Sequence, residues 1–160
     1  MNGKLLKNGG EIMSKHVVET PKLGKIEYTD DDIIYMVSPL LGFDHINDYL
    51  LISSPETVPF VMLQSIDDMD ISFILADINL FFKDYSPNFS KRELKVLQVK
   101  KVEELKLFGI VVIKDKPQNA TINLKAPIAI NLEKRLAKQI ILDDDRWEIK
   151  TPLFKSEKVK

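Results

Sequence analysis

Nine short runs with strand character, separated by Gly, Pro, Asp and Asn, dominate the chain and exclude most architectures. Ile26 and Tyr28 alternate with charged neighbours, and Ile33 to Val37, Tyr49 to Ile52, Val58 to Leu63 and Ile71 to Ala76 follow. Phe108 to Ile113, Thr121 to Leu124, Ile128 to Leu132 and Gln139 to Leu142 complete the set. Runs this short at this spacing build a sandwich or a barrel rather than alternating strand-helix-strand units. The fold class that follows is all-β, mostly strand with one or two short helices, in a small β-barrel-like single domain. With 160 residues, 44% of them hydrophobic, the chain can bury one real core.

Local signals refine this frame. Asp67-Asp68-Met69-Asp70 sits between two runs and reads as a hairpin connection. In Thr121 to Lys125, Ile122 and Leu124 point one way while Thr121, Asn123 and Lys125 point the other. Pro127 has no amide to donate, so it belongs at an edge, a bulge or a strand start. Ser90-Lys91-Arg92-Glu93 fits a capping box, with Ser90 accepting from the Glu93 amide and Glu93 reaching back. Leu94 and Leu97 then share one face of the helix it opens.

Several classes of chemistry fall away. The absence of cysteine excludes a disulfide scaffold, thiol nucleophiles and sulfur-bound zinc. His16 and His45 are the only histidines, too few for a site built on several imidazoles. The longest apolar run, Leu107 to Ile113, is far shorter than the roughly 18 residues of a membrane helix, and no secretory signal opens the chain. A cytoplasmic protein is the expectation. Residues 1–15 read as a poorly ordered leader, 16–155 as the folded domain and 156–160 as a frayed tail. Gly9-Gly10-Glu11 can be encoded by a purine-rich run just upstream of the Met13 codon, which makes Met13 an alternative start to Met1.

The charge map is more informative than its sum. Between Ile26 and Asp84 stand 12 acidic residues and one base, Lys83, a net of −11, while the remainder carries +10. A near-neutral total therefore hides two opposed segments. Either the folded barrel mixes these segments and averages the field, or an acidic face meets a basic partner protein and repels nucleic acid, a complementarity that acts mainly on association rate and specificity.

No constellation announces catalysis. His45 lies near Asp44 and Asp48, but no activated nucleophile accompanies it. Asp67, Asp68 and Asp70 fail the calcium-loop spacing, with Ile78 standing where the twelfth-position glutamate belongs. Asp143-Asp144-Asp145 reads as a charged loop, and Gly24, Gly42 and Gly109 stand alone rather than in a phosphate loop. The rings of Phe43, Phe60, Phe73, Phe81, Phe82 and Phe89 lie among acidic residues, unlike a base-stacking surface. Trp147 beside Arg146 reads as a core anchor.

The ordered motifs resemble one family. Gly24-Lys25-Ile26-Glu27-Tyr28, Asp32-Ile33-Ile34-Tyr35 and Pro39-Leu40-Leu41-Gly42-Phe43 follow its opening. Pro59-Phe60-Val61-Met62-Leu63-Gln64-Ser65 and Ser72-Phe73-Ile74-Leu75-Ala76-Asp77 follow its middle. Asn123-Leu124-Lys125-Ala126-Pro127-Ile128-Ala129-Ile130-Asn131 and Lys138-Gln139-Ile140-Ile141-Leu142 are its most specific signatures. Over about Leu23 to Phe154 the chain resembles the flagellar assembly factor FliW, departing at Pro39 and Leu41, where the family carries Gly and Pro.

The resemblance implies a small β-barrel-like protein with no catalytic activity, cofactor or metal. It implies binding to the translational repressor CsrA and to flagellin, without direct contact to nucleic acid or membrane. Flagellin held in the cytoplasm would occupy the protein, and its export would free the protein to sequester CsrA. Within that frame Asp67, Asp68 and Asp70 are expected to supply the acidic contribution. Phe60, Met62 and Gln64 on the same sheet, and Asn123 and Lys125 displaying polar groups from a neighbouring strand, are expected to complete the partner-binding surface. Two other classes remain open: a small-ligand or enzymatic barrel, which needs a deep pocket with convergent polar groups, and an RNA-binding barrel, which needs a contiguous basic face from residues 85–160.

Overall fold

The computed structural model describes residues 4–7 and 11–154. The chain opens with β1 (Lys4–Lys7), β2 (Glu11–Ser14), β3 (His16–Thr20) and β4 (Gly24–Tyr28). Then come β5 (Ile33–Met36), β6 (Asp48–Ser53), β7 (Phe60–Ser65) and β8 (Ser72–Asp77), followed by helices α1 (Ile78–Phe81) and α2 (Lys91–Val96). Strands β9 (Lys106–Val112), β10 (Thr121–Ile122), β11 (Ile128–Asn131), β12 (Leu136–Gln139) and β13 (Thr151–Pro152) complete it. The fold is mostly β with two short helices.

Seven strands close a barrel in the order β11-β12-β5-β6-β7-β8-β9, and the pairing of β9 with β11 shuts the ring. Every pairing around it is antiparallel except β12 with β5, which run parallel with Leu136 opposite Tyr35. Strand β9 serves two partners on one edge: Lys106 to Phe108 pair with β11, and Val111 and Val112 pair with β10. Gly109 stands at the fork. The strand pairs β1–β2 and β3–β4 are separate two-stranded sheets. Of the leader expected at 1–15, residues 1–3 and 8–10 lie outside the described residues, as does the tail at 156–160, while Lys4–Lys7 pairs with Glu11–Ser14.

Alternation along the strands divides the apolar side chains between two cores. Inside the ring lie Ile34, Met36, Tyr49, Leu63, Leu75, Phe108, Ile128 and Ile130. Outside it, Ala76, Leu107, Val111, Ala129 and Ile122 pack with Ile78, Tyr85, Leu97 and Leu142 beneath the helices and loops. Strand β11 is therefore buried on both faces, at all four positions. The barrel interior is filled by side chains.

Four local expectations shift. Strand β7 begins at Phe60 rather than Val58, because Pro59 offers the ladder no amide. Strand β10 ends at Ile122, where Asn123 turns the chain: its Oδ1 accepts from the amides of Lys125 and Ala126, each at 3.0 Å. Strand β12 covers Leu136–Gln139, earlier than Gln139 to Leu142, although Ile140 and Leu142 still donate to the carbonyls of Pro127 and Lys125. Ser90 caps α2 through the Glu93 amide at 3.2 Å, but the Glu93 carboxylate pairs with Lys138 rather than returning to Ser90. Pro127 directly precedes β11, as a residue without an amide should. No helix among the described residues is long and apolar enough to cross a membrane.

Candidate partner-binding surface

The loop between β7 and β8 carries Asp67, Asp68 and Asp70, and its conformation is set by hydrogen bonds rather than by burial. Ser65 Oγ accepts from the amides of Asp67 at 3.1 Å and Asp68 at 3.0 Å. Asp68 Oδ1 accepts from the Asp70 amide at 3.0 Å. The Ile71 amide donates to the Asp68 carbonyl, and the Ile66 amide reaches the Asp48 carbonyl on β6 at 3.2 Å. Asp67 and Asp70 are exposed and Asp68 half-buried, so the loop holds its carboxylates outward.

Register brings further acids to the same end of the barrel. Burial, followed by the fields of Asp30, Asp67 and Asp48, pushes the Tyr28 phenol upward. Burial and then Asp67 raise the Asp48 carboxyl above its ordinary value. The Tyr49 phenol, inside the ring, is pushed up to about 12 by burial and then by Asp67. Asp67 is thus the carboxylate whose field reaches β4, β6 and the barrel interior. Asp30 in turn holds His16 Nε2 at 2.9 Å, and the His16 ring lies 5.1 Å from that of Tyr28. Asp30 and Asp48 escaped motif reasoning, although the negative charge of Ile26 to Asp84 contained them. The Ile66 amide on the Asp48 carbonyl sets Asp48 next to the loop, while Asp30 lies in the turn before β5 and holds His16.

The other candidate residues lie elsewhere or deeper. Phe60, Met62 and Gln64 share one face of β7 by alternation. Met62 is 7% exposed and Gln64 1%, so neither offers surface to a partner. Phe60 is half-buried, stacked on Phe81 at 6.5 Å and edge-on to Phe154 at 6.4 Å. Asn123 is spent on its own turn, and Lys125 Nζ stands 3.4 Å from Asp145. Both belong to the region of β10, two strands away from the acidic loop through β9 and β8.

Cations of the second half are partly neutralised: Lys106 pairs with Asp77, Lys138 with Glu93 and Arg146 with Asp144. Lys91, Arg92 and Lys95 on α2, with Lys100 and Lys101 after it, are exposed. No aromatic ring lies between Lys91 and Lys101 to stack on a base. Among the described residues no group of three or more His, Asp and Glu side chains gathers as a metal site. A groove of about 520 Å³ runs between Asn88 to Ser90 and Ile140 to Asp143.

Comparison with known proteins agrees with the fold. The family model described as FliW protein matches residues 16–153. The flagellar assembly factor FliW of Thermoanaerobacter pseudethanolicus is 37% identical over 142 residues, covering 88% of this chain and 95% of that protein. The flagellar assembly factor FliW of Caldanaerobacter subterraneus is 39% identical over 142 residues with the same coverage. A crystal structure of the flagellar assembly factor FliW superposes with a TM-score of 0.82 at 30% identity, covering 89% of this chain and 99% of that one. Matched along almost its whole folded length in sequence and in three dimensions, the chain belongs to the FliW family of flagellar assembly factors.

Proposed function

We propose that this flagellar assembly factor acts in the cytoplasm by protein contact alone, as an antagonist of the translational repressor CsrA that also binds flagellin. Synthesis of flagellin is thereby coupled to its export: flagellin occupies the protein until export frees it to withhold CsrA from its message. The observation that carries this reading is the acidic loop of Asp67, Asp68 and Asp70, ordered by Ser65 and seated against β6 at Asp48. A protein that grips RNA is basic on its binding face, and this surface meets it with opposite charge. Phe60 and Met62 pack β7, the strand that leads into the loop, and Asn123 and Lys125 shape the turn after β10.

The experiment is size-exclusion chromatography and calorimetry with purified CsrA and purified flagellin, separately and together. Complexes with each partner are expected, and flagellin is expected to reduce the CsrA-bound fraction. Failure to bind either one overturns the reading. Binding of RNA by the free protein would instead favour the exposed cations of α2 as a nucleic-acid surface.

A further inference from the structure

We infer that Gln64 is a positioning residue for partner capture: from within the barrel wall its amide holds the acidic loop in one conformation before any partner arrives. The inference rests on the proposed role of that loop. It adds that the loop's affinity for a basic protein depends on a side chain the partner never touches.

Gln64 Nε2 lies 3.1 Å from the Ser65 carbonyl, 3.1 Å from the Met69 carbonyl and 3.2 Å from the Ile71 carbonyl. A primary amide has two N–H groups, so three carbonyls share them, drawn from the start, the crest and the end of the loop. Around this staple the backbone is satisfied internally. The Ser65 amide donates to Ile71, Ile66 to Asp48, Asp67 and Asp68 to Ser65 Oγ, Asp70 to Asp68 Oδ1 and Ile71 to Asp68. Met69 aside, each amide from Ser65 to Ile71 has an acceptor within the protein.

A residue needed only for packing at this position would be apolar, since burying an amide costs free energy unless it is bonded. Here the amide is bonded, and all its partners belong to the loop. Carboxylates on a disordered loop would have to be ordered on binding, and that ordering subtracts from affinity. Gln64 removes much of that cost beforehand, with no change in the charge presented.

The test uses the full chain with Gln64→Met, which keeps length and charge but removes the donors. Ser65→Ala loosens the loop from the other side without touching Gln64. Amide hydrogen exchange and binding kinetics to purified CsrA are read across a range of salt. Exchange at Asp67, Asp68 and Asp70 should accelerate while β6 and β9 keep their protection. Affinity for CsrA should fall about tenfold in both variants. The salt dependence should match that of the parent, because the number of charges is unchanged. Unchanged affinity with a loosened loop overturns the inference. So does weakened binding by Gln64→Met accompanied by lost protection in β9, if Ser65→Ala binds normally. Reversal of Asp67, Asp68 and Asp70 to lysine separates the two ideas. If reversal has no effect on CsrA binding, the surface itself is misassigned; if reversal weakens binding and the two loop variants do not, only the role of Gln64 falls.

Discussion

Gly109 faces Ile122 with no room for a side chain: a Cβ at Gly109 would sit 2.5 Å from Ile122 Cγ1 and 2.7 Å from its Cδ1. The Asn123 carbonyl oxygen would stand 3.0 Å away on the same side. This close approach lies where β9 passes from its pairing with β11 to its pairing with β10. Gly109→Ala must therefore push Ile122 out of the outer core or part the two strands. A loss of about 1–3 kcal/mol is expected, as for other overpacked sites, read as a lower midpoint in denaturant with an unchanged slope.

The Tyr85 hydroxyl donates to the Leu124 carbonyl at 2.7 Å in the outer core, tying the loop after α1 to the turn after β10. Tyr85→Phe keeps the ring against Trp147, 4.7 Å away, but leaves a buried carbonyl unpaired. Destabilisation of about 1–3 kcal/mol is expected, measured by equilibrium unfolding. CsrA binding by the folded variant should not change, since the Tyr85 side chain is held in the outer core against Trp147 and the Leu124 carbonyl.

Alkaline titration should report the same burial. The Tyr49 phenol is raised from its ordinary 10.0 to about 12, and burial raises that of Tyr85 as well. A phenol whose folded value is raised contributes stability in full below the unfolded value, and that contribution disappears as pH climbs through the folded one. Stability should therefore drop between about pH 10 and 12. Phenolate absorbance from these two residues should appear together with unfolding, not before it.

Asp48 obeys the same linkage in a lower pH range. Burial and the neighbouring Asp67 hold its carboxyl above the ordinary value, so its ionised form at neutral pH is a cost to the fold. That cost is absent in acid and grows as pH rises through the raised value. Asp48→Asn should raise the melting temperature at neutral pH and leave it nearly unchanged in acid. Removing one negative charge from the candidate surface should also slow CsrA association at low salt.

Reversing Asp67, Asp68 and Asp70 together to lysine tests the surface directly. At low ionic strength the CsrA association rate should fall by about tenfold or more, and its decline with added salt should flatten or invert. Stopped-flow measurement at several salt concentrations reads both quantities. Asp68 also accepts from the Asp70 amide, so Asp68→Asn, which retains an acceptor oxygen, is the appropriate control for loop shape.

Much of the barrel was legible before any coordinates. Runs such as Ile33 to Val37, Tyr49 to Ile52 and Ile71 to Ala76 became β5, β6 and β8 because half-buried strands write themselves in β-branched and aromatic residues. The hairpin at Asp67 to Asp70 was readable from its turn residues alone. The second core was not, since Phe108 and Ile128 face inward while Leu107 and Ala129 face outward, and a strand buried on both sides loses its alternation. The pairing of Glu93 with Lys138 spans 45 residues and overrides a local cap motif. Gln64 shows the same limit at the candidate site. Its face on β7 followed from period two, but its depth and its three carbonyl partners arise only when the loop folds back over it.

The parallel pairing of β12 with β5 has a consequence for the order of events in a cell. Arg135 donates to the Asp32 carbonyl across 103 positions of sequence, and Leu136 lies opposite Tyr35. A growing chain on the ribosome can build the antiparallel meander from β5 to β8 as it emerges, but the final seam waits until Leu136 and Ala137 have been made. Translation itself thus times the closure, and a nascent chain stalled before Arg135 would carry its acidic loop on an open, unsealed sheet.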